Sequence, residues 1–169
     1  HNYVAIGETG IDLYWDKSYI KQQQEAFEFQ VRLAKSNDLP LVIHCRDGFD
    51  QVFEILEAEK CSSMRGVFHC FSGSLPQAIR AIKLGFKLGV GGVVTFKNSG
   101  LDKVLEKISL NNIVIETDSP YLSPNPVRGK RNESSYLIYI INKLSDIYSI
   151  ETEIIAKIVY SNSRKLFKF

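Results

Sequence analysis

Five short apolar runs, each followed by an amphipathic stretch, constrain this chain more than any other feature. The runs fall near residues 3–7, 41–45, 66–70, 86–91 and 113–117 and are rich in Val and Ile. Their apolar residues occupy consecutive positions rather than alternate ones. That pattern belongs to strands buried on both faces of a parallel sheet. The intervening stretches carry the helical period. Residues 18–36 place Ile20, Phe27, Val31 and Ala34 on one face, with Ser18 as the expected N-cap. Residues 48–59 repeat Phe49, Val52, Phe53 and Leu56, and residues 75–84 repeat Leu75, Ala78, Ile79 and Ile82. Gly85 is placed to close the latter helix. A short fourth helix is expected over 101–108.

After the last run comes "SPYLSPNPVRGKRNESS", a loop by composition. Two helices are expected beyond it, over 135–147 and 151–161. The first would present Leu137, Ile140, Ile141 and Leu144 on one face. The 169 residues suffice for one domain with a real core, and 44% hydrophobic with 24% charged residues is ordinary for a globular protein. No window approaches the roughly 18 apolar residues of a membrane span, so no membrane role is expected. A net charge of +2 neither requires nor excludes a nucleic-acid partner.

The apolar runs end in chemistry. "VAIGETG" ends in Glu8, "LVIHCRD" in His44, "GVFHCFSG" around His69 and "NIVIETDSP" around Asp118. Each residue alone has an ordinary explanation: a core histidine, a capping carboxylate, an Asx turn. Together, two imidazoles and two carboxylates on four strand ends suit a divalent metal of the zinc, manganese or magnesium range. Their distribution also bears on topology. A closed β/α barrel places functional residues at the C-terminal ends of several strands, whereas an open doubly wound sheet concentrates them at one switch point. The glycine-rich "GVGGVVTF" does not complete a dinucleotide fingerprint, because Val94 stands at its third glycine position. A TIM-type barrel is therefore expected. Eight strands and roughly 250 residues are usual for that fold. Five strands are read here, so the chain is expected to hold the C-terminal five of eight βα units as one partial barrel domain, residues 1–169.

Positive charge gathers on the loop after the last strand, where "VRGKRN" carries Arg128, Lys130 and Arg131. Arg46 follows His44 by two residues. Either these are solvated charges or they clamp a phosphate; beside a metal the second reading gains weight. No aromatic stacking motif is visible at the presumed mouth. The three cysteines, Cys45, Cys61 and Cys70, form no C-x-x-C pair. Their odd count argues against a disulfide framework and points to a reducing, cytoplasmic setting. Cys45, next to His44 on a strand, should face the helices. Cys45 and Cys70 are both read as buried structural thiols rather than nucleophiles.

At this point the motifs resemble a known family. "VAIGETGIDLYW", "LPLVIHCRD", "GVFHCFSGS", "GFKLGVGGVVTFKN", "IVIETDSPYLSPNPVRGKRNE" and "NSRKLF" are similar, in order and spacing, to the TatD-type metal-dependent deoxyribonucleases. The resemblance implies a metal-dependent hydrolase that cleaves phosphodiester bonds in DNA, often as a 3′-to-5′ exonuclease, with two divalent ions in the complete protein. It implies Glu8 as the shared carboxylate ligand and His44 and His69 as imidazole ligands. Asp118 would be both a ligand and the catalytic proton acceptor. Arg46, Arg128 and Arg131 would hold the phosphate of a DNA or RNA substrate.

Two departures accompany the likeness. The family opens on an H-x-H strand that supplies two more ligands, and no H-x-H occurs here. The family's proline after the glutamate of "RNE" is replaced by Ser134. The chain is accordingly expected to be part of a longer protein. A native half-barrel would expose sheet edges and call for self-association or a partner chain. Two other functions stay open: a related hydrolase of a small ester or amide, and an inactive remnant that binds nucleic acid or a partner.

Overall fold

Strand and helix alternate as the hydropathy pattern predicts. The computed structural model describes residues 3–169. In chain order they form β1 (Ile6–Asp12), α1 (Ile20–Ser36), β2 (Leu41–Arg46), α2 (Phe49–Ala58), β3 (Gly66–Phe68), α3 (Leu75–Lys83), β4 (Phe86–Val90), α4 (Leu101–Leu105), β5 (Ile113–Ile115), α5 (Leu137–Tyr148) and α6 (Thr152–Phe167). Among these residues no helix is long and apolar enough to cross a membrane.

The strands form one parallel sheet in the order β1-β2-β3-β4-β5. Each strand pairs with the next in sequence, and the order never reverses. A doubly wound sheet must reverse at its switch point, so this is the winding of a β/α barrel wall.

The helices cover one face of the sheet. Leu41 and Ile43 of β2, Phe68 of β3, and Phe86, Leu88 and Val90 of β4 are buried there against Phe27, Val31, Phe53, Leu56 and Ala78. Phe68 sits between Phe53 and Phe86, with ring centroids 5.5 Å from each. Complete burial of one such ring stabilises the fold by roughly 1.5–3 kcal/mol. By strand alternation the intervening residues turn to the opposite face. There Val67 and Val114 form a second, smaller cluster with Leu166 and Phe167 from the end of α6.

Several boundaries differ from expectation. The first strand is Ile6–Asp12, not residues 3–7, so Glu8 lies inside it rather than at its end. Its "GETG" interrupts the apolar run, and its register with β2 shifts between Ile6 and Thr9. Such an irregularity re-aims a side chain, here at the sheet's functional end. Helix α6 continues to Phe167 rather than stopping at 161. The polar stretch "NSRK" interrupts the apolar pattern, yet Asn162 within it and Leu166 just after it are buried. Helix α1 starts at Ile20 after Tyr19, with no side-chain cap from Ser18. Ile79 is exposed, although its spacing in α3 matches the buried Ala78 face only approximately.

Two glycines allow the close approaches that shape the site. Gly10 has φ +149°, and a Cβ there would lie 1.8 Å from the His44 carbonyl oxygen. At Gly92, a Cβ would lie 2.0 Å from the carbonyl oxygen of Leu122, on the loop after β5. Any larger residue would push these segments apart.

Candidate metal centre

Four strands and the turns that follow them deliver polar residues to one cleft. His44 belongs to β2 and pairs in register with Gly10 of β1. His69 follows β3, and its amide still donates to the Ile43 carbonyl (2.8 Å). Asp118 lies three residues beyond β5 and takes a left-handed backbone, φ 59°. The cleft holds about 470 Å³ and is lined by Glu8, His44, Arg46, His69 and Asp118, with Cys70 and Tyr121 on its walls.

The distances tie these side chains together. Glu8 Oε1 lies 3.0 Å from His44 Nδ1 and 3.9 Å from His69 Nε2. His69 Nε2 is also 3.3 Å from Asp118 Oδ1. Atoms that bind one ion at about 2.1 Å must lie within about 4.2 Å of each other. These three separations meet that condition.

The outer nitrogen of each imidazole is already engaged. His44 Nε2 is 2.9 Å from Asp12 Oδ2, and His69 Nδ1 is 2.8 Å from Glu116 Oε2. A carboxylate accepts a hydrogen bond from the protonated ring nitrogen and so fixes the tautomer. That leaves His44 Nδ1 and His69 Nε2 as the ring nitrogens turned toward an incoming ion, and both face Glu8. The donor set of two oriented imidazoles and two carboxylates fits a divalent cation. Among the described residues, His69, Cys70 and Asp118 also bring ligand-type atoms within 4.8 Å of one another.

Charge follows from these contacts. The Glu116 hydrogen bond, aided by the charges of Glu116, Glu8 and Asp118, outweighs burial and pushes His69 up to about 9. Burial raises Asp12, but the Tyr14 amide and His44 outweigh it and hold the carboxyl below the usual aspartate range. Burial pushes the Cys45 thiol up to about 12 and raises Cys70 as well, with Glu116 and Asp118 adding to the latter. Both cysteines stay protonated at neutral pH, which makes them poor nucleophiles.

Cys45 packs against the helix-side core, as strand alternation predicts, although part of it reaches the cleft wall. Cys70 does not join that core. Strand β3 ends at Phe68, alternation stops, and a left-handed residue (φ 44°) carries Cys70 into the cleft.

The expected phosphate residues separate. Arg46 lines the cleft. Arg128 stacks over Phe96, 3.8 Å from its centroid, in an adjoining groove that shares Val93 with the cleft. Arg131 is exposed and lines neither.

Three functional positions escaped the sequence reading. Asp12 and Glu116 hold the histidines, and Asn132 holds the loop that bears Asp118. The buried Asn132 amide donates to the carbonyls of Thr117 and Tyr121, both at 2.6 Å. The first two carried a signal: Asp12 stands four residues after Glu8, and Glu116 two before Asp118. Even spacings along a strand share a face.

Fold and site together define a class: a parallel β/α barrel wall that gathers donor residues suited to a divalent cation toward the C-terminal ends of its strands. Comparison with known proteins narrows it. The family model of the TatD related DNases matches residues 1–168, and the chain belongs to that family. The uncharacterized metal-dependent hydrolase YabD of Bacillus subtilis is 43% identical over 166 residues, 98% of this chain and 65% of YabD. YcfH of Escherichia coli, also an uncharacterized metal-dependent hydrolase, is 33% identical over 165 residues, 97% of this chain and 62% of YcfH. The crystal structure of YJJV, a TatD homolog from Escherichia coli, superposes with a TM-score of 0.91 at 33% identity, covering 98% of this chain and 64% of that one. A TatD family hydrolase from Entamoeba histolytica gives 0.83 at 25% identity, covering 97% of this chain and 63% of that one. The chain thus spans less than two thirds of the length of these relatives, and it shares the barrel hydrolase fold of the TatD proteins.

Proposed function

We propose that this chain carries the catalytic cleft of a metal-dependent deoxyribonuclease, one that hydrolyses phosphodiester bonds from the 3′ end of DNA. One observation carries the reading: Arg46 lines the same cleft as the four cation donors Glu8, His44, His69 and Asp118. A site built only to hold a metal has no use for a guanidinium, whereas a phosphodiester needs its charge neutralised.

A divalent cation of the zinc, manganese or magnesium range supplies Lewis acidity toward a phosphoryl oxygen and lowers the pKa of a water molecule. The protein's own groups do the rest. Asp12 and Glu116 hold the two imidazoles in the tautomers that leave His44 Nδ1 and His69 Nε2 as donors. Glu8, facing both rings, would be a carboxylate ligand to the cation. Asp118 takes the proton from the attacking water at its carboxylate. Arg46 offsets the negative charge on the phosphoryl oxygens. In this reading the five strands are the last five of an eight-stranded barrel, in keeping with the length shared with the relatives. The unpaired cysteines accord with a cytoplasmic setting.

Metal-loaded protein incubated with single-stranded DNA labelled at either end tests the proposal. Stepwise shortening from the 3′ end supports it. Hydrolysis of a small carboxylic ester without cleavage of DNA would replace the nuclease with a small-molecule hydrolase.

A further inference from the structure

Two aromatic rings that the hydrolytic reading leaves unused stand against Arg46, a wall residue of the cleft. Tyr14 and Trp15 follow the end of β1. Trp15 is 81% exposed and Tyr14 51% exposed. They stack edge to face with centroids 4.7 Å apart. The Arg46 guanidinium lies flat over Tyr14, 3.5 Å from its centroid, and 5.9 Å from Trp15. Arg46 is itself a wall of the cleft.

This corner is tied to the site by its backbone. Asp12 pairs in register with Arg46, and the Leu13 amide donates to the Arg46 carbonyl (2.8 Å). Leu13 is buried and anchors the turn. The Tyr14 amide donates to Asp12 Oδ1 at 2.9 Å, while Oδ2 of the same carboxylate holds His44. One aspartate therefore positions both an imidazole of the candidate centre and the aromatic pair beside it.

Stacking occupies the flat face of Arg46 but leaves its N–H edge free. Among the described residues that edge donates to no side chain or carbonyl. A guanidinium with a free edge accepts an anion, and exposed rings next to it accept a planar group. An anion joined to a planar aromatic group is a nucleotide. Stacking on a ring tolerates every base.

We infer that Tyr14 and Trp15, with Arg46, form a stacking platform for an unpaired nucleobase that flanks the phosphodiester in the cleft. The inference rests on the phosphodiesterase reading above. It assigns a binding role to Tyr14 and Trp15, open to an unpaired base because inside a duplex both faces of a base are already stacked on its neighbours.

Trp15 is the sole tryptophan of the chain, so intrinsic fluorescence reports this corner alone. The experiment titrates metal-loaded protein with a phosphorothioate single strand carrying a terminal dye. Dye anisotropy reads binding, and Trp15 emission reads stacking. DNA and RNA strands, an abasic strand and inorganic phosphate are run in parallel. The expected result is quenching by base-bearing strands of either sugar, with little change for the abasic strand or phosphate. Trp15→Ala should weaken base-bearing strands about 5- to 150-fold, as a stacking energy of about 1–3 kcal/mol requires, down to the affinity of the abasic strand. Trp15→Phe should retain most of the affinity. Strand binding with unchanged Trp15 emission, or a Trp15→Ala variant that binds as wild type does, would overturn the platform and leave the nuclease reading standing. Failure of anisotropy to detect any binding, with no cleavage, would remove both.

Discussion

His69 Nδ1 and the Glu116 carboxylate lie 2.8 Å apart, and the same carboxylate accepts the Cys70 amide. Glu116 thus fixes both the ring and the turn that carries it. Glu116→Gln keeps the shape but presents only one oxygen to two donors. Loss of such an outer partner commonly costs 10–100-fold in metal affinity. Competition with a chelator should show a loss of roughly that size, with unchanged circular dichroism. Wild-type affinity in the variant would mean that His69 is oriented by something else.

The raised His69 pKa gives the metal-free protein a definite pH dependence. Its folded value is about 9, above the ~6.5 of an unfolded histidine. The stabilisation is fully present below the unfolded value and is lost as pH rises through the folded one. Thermal unfolding without metal should therefore occur at lower temperature near pH 9.5 than near pH 6, with a smaller difference in Glu116→Gln. Metal binding runs the other way. Below about pH 9 the ion must displace a proton from His69, so affinity should climb with pH and calorimetry should register proton release. A melting temperature indifferent to pH across this window would contradict the ion pair.

Glu8 faces both imidazoles from within a strand rather than from a mobile loop. Glu8→Ala should lower metal affinity and content without unfolding the protein. The check is metal analysis after dialysis against a fixed free-metal concentration. Unchanged stoichiometry would exclude Glu8 as a ligand.

Asn162 is a structural counterpart far from the chemistry. Its buried amide donates to the carbonyls of Leu110 (2.9 Å) and Ile113 (2.8 Å), locking α6 to the entry of β5. Asn162→Ala leaves both carbonyls without that donor and should cost about 1–3 kcal/mol in urea unfolding. A change within error would mean that the contacts are easily replaced.

These residues also show where sequence patterns carry information. Mostly apolar runs mark β2 to β5 because burial on both faces favours apolar residues at consecutive positions, with Lys87 of β4 as an interruption. The sequential strand order then follows from short right-handed connections. Strand β1 hides its true end because "GETGID" breaks the apolar run, although Ile11 is a core residue: Gly10 lets His44 approach, and Glu8 and Asp12 supply carboxylates. The same displacement concealed the aromatic pair, since Tyr14 and Trp15 fall just past an end that the apolar run places at residue 7. Of the candidate donors, Glu8, His44, His69 and Asp118 are visible as polar residues that close apolar runs. Their partners Asp12 and Glu116 leave only a faint trace, an even spacing from Glu8 and Asp118, because a hydrogen bond across a strand end has no stronger local pattern. Asn132 and Asn162 are hidden for a related reason: each caps carbonyls from distant segments, and nothing in their neighbours announces it.

The most direct test of the central claim is metal-dependent cleavage of a single-stranded oligonucleotide by wild type and by Asp118→Asn. The variant keeps the side-chain shape and an oxygen but loses the proton-accepting carboxylate. The account predicts cleavage by wild type that disappears with chelator and returns with added metal. It predicts a loss of at least about 100-fold in Asp118→Asn, the lower range for a general base, with folding intact. Full activity in that variant would contradict the assignment of Asp118 and, with it, the proposed chemistry of the cleft.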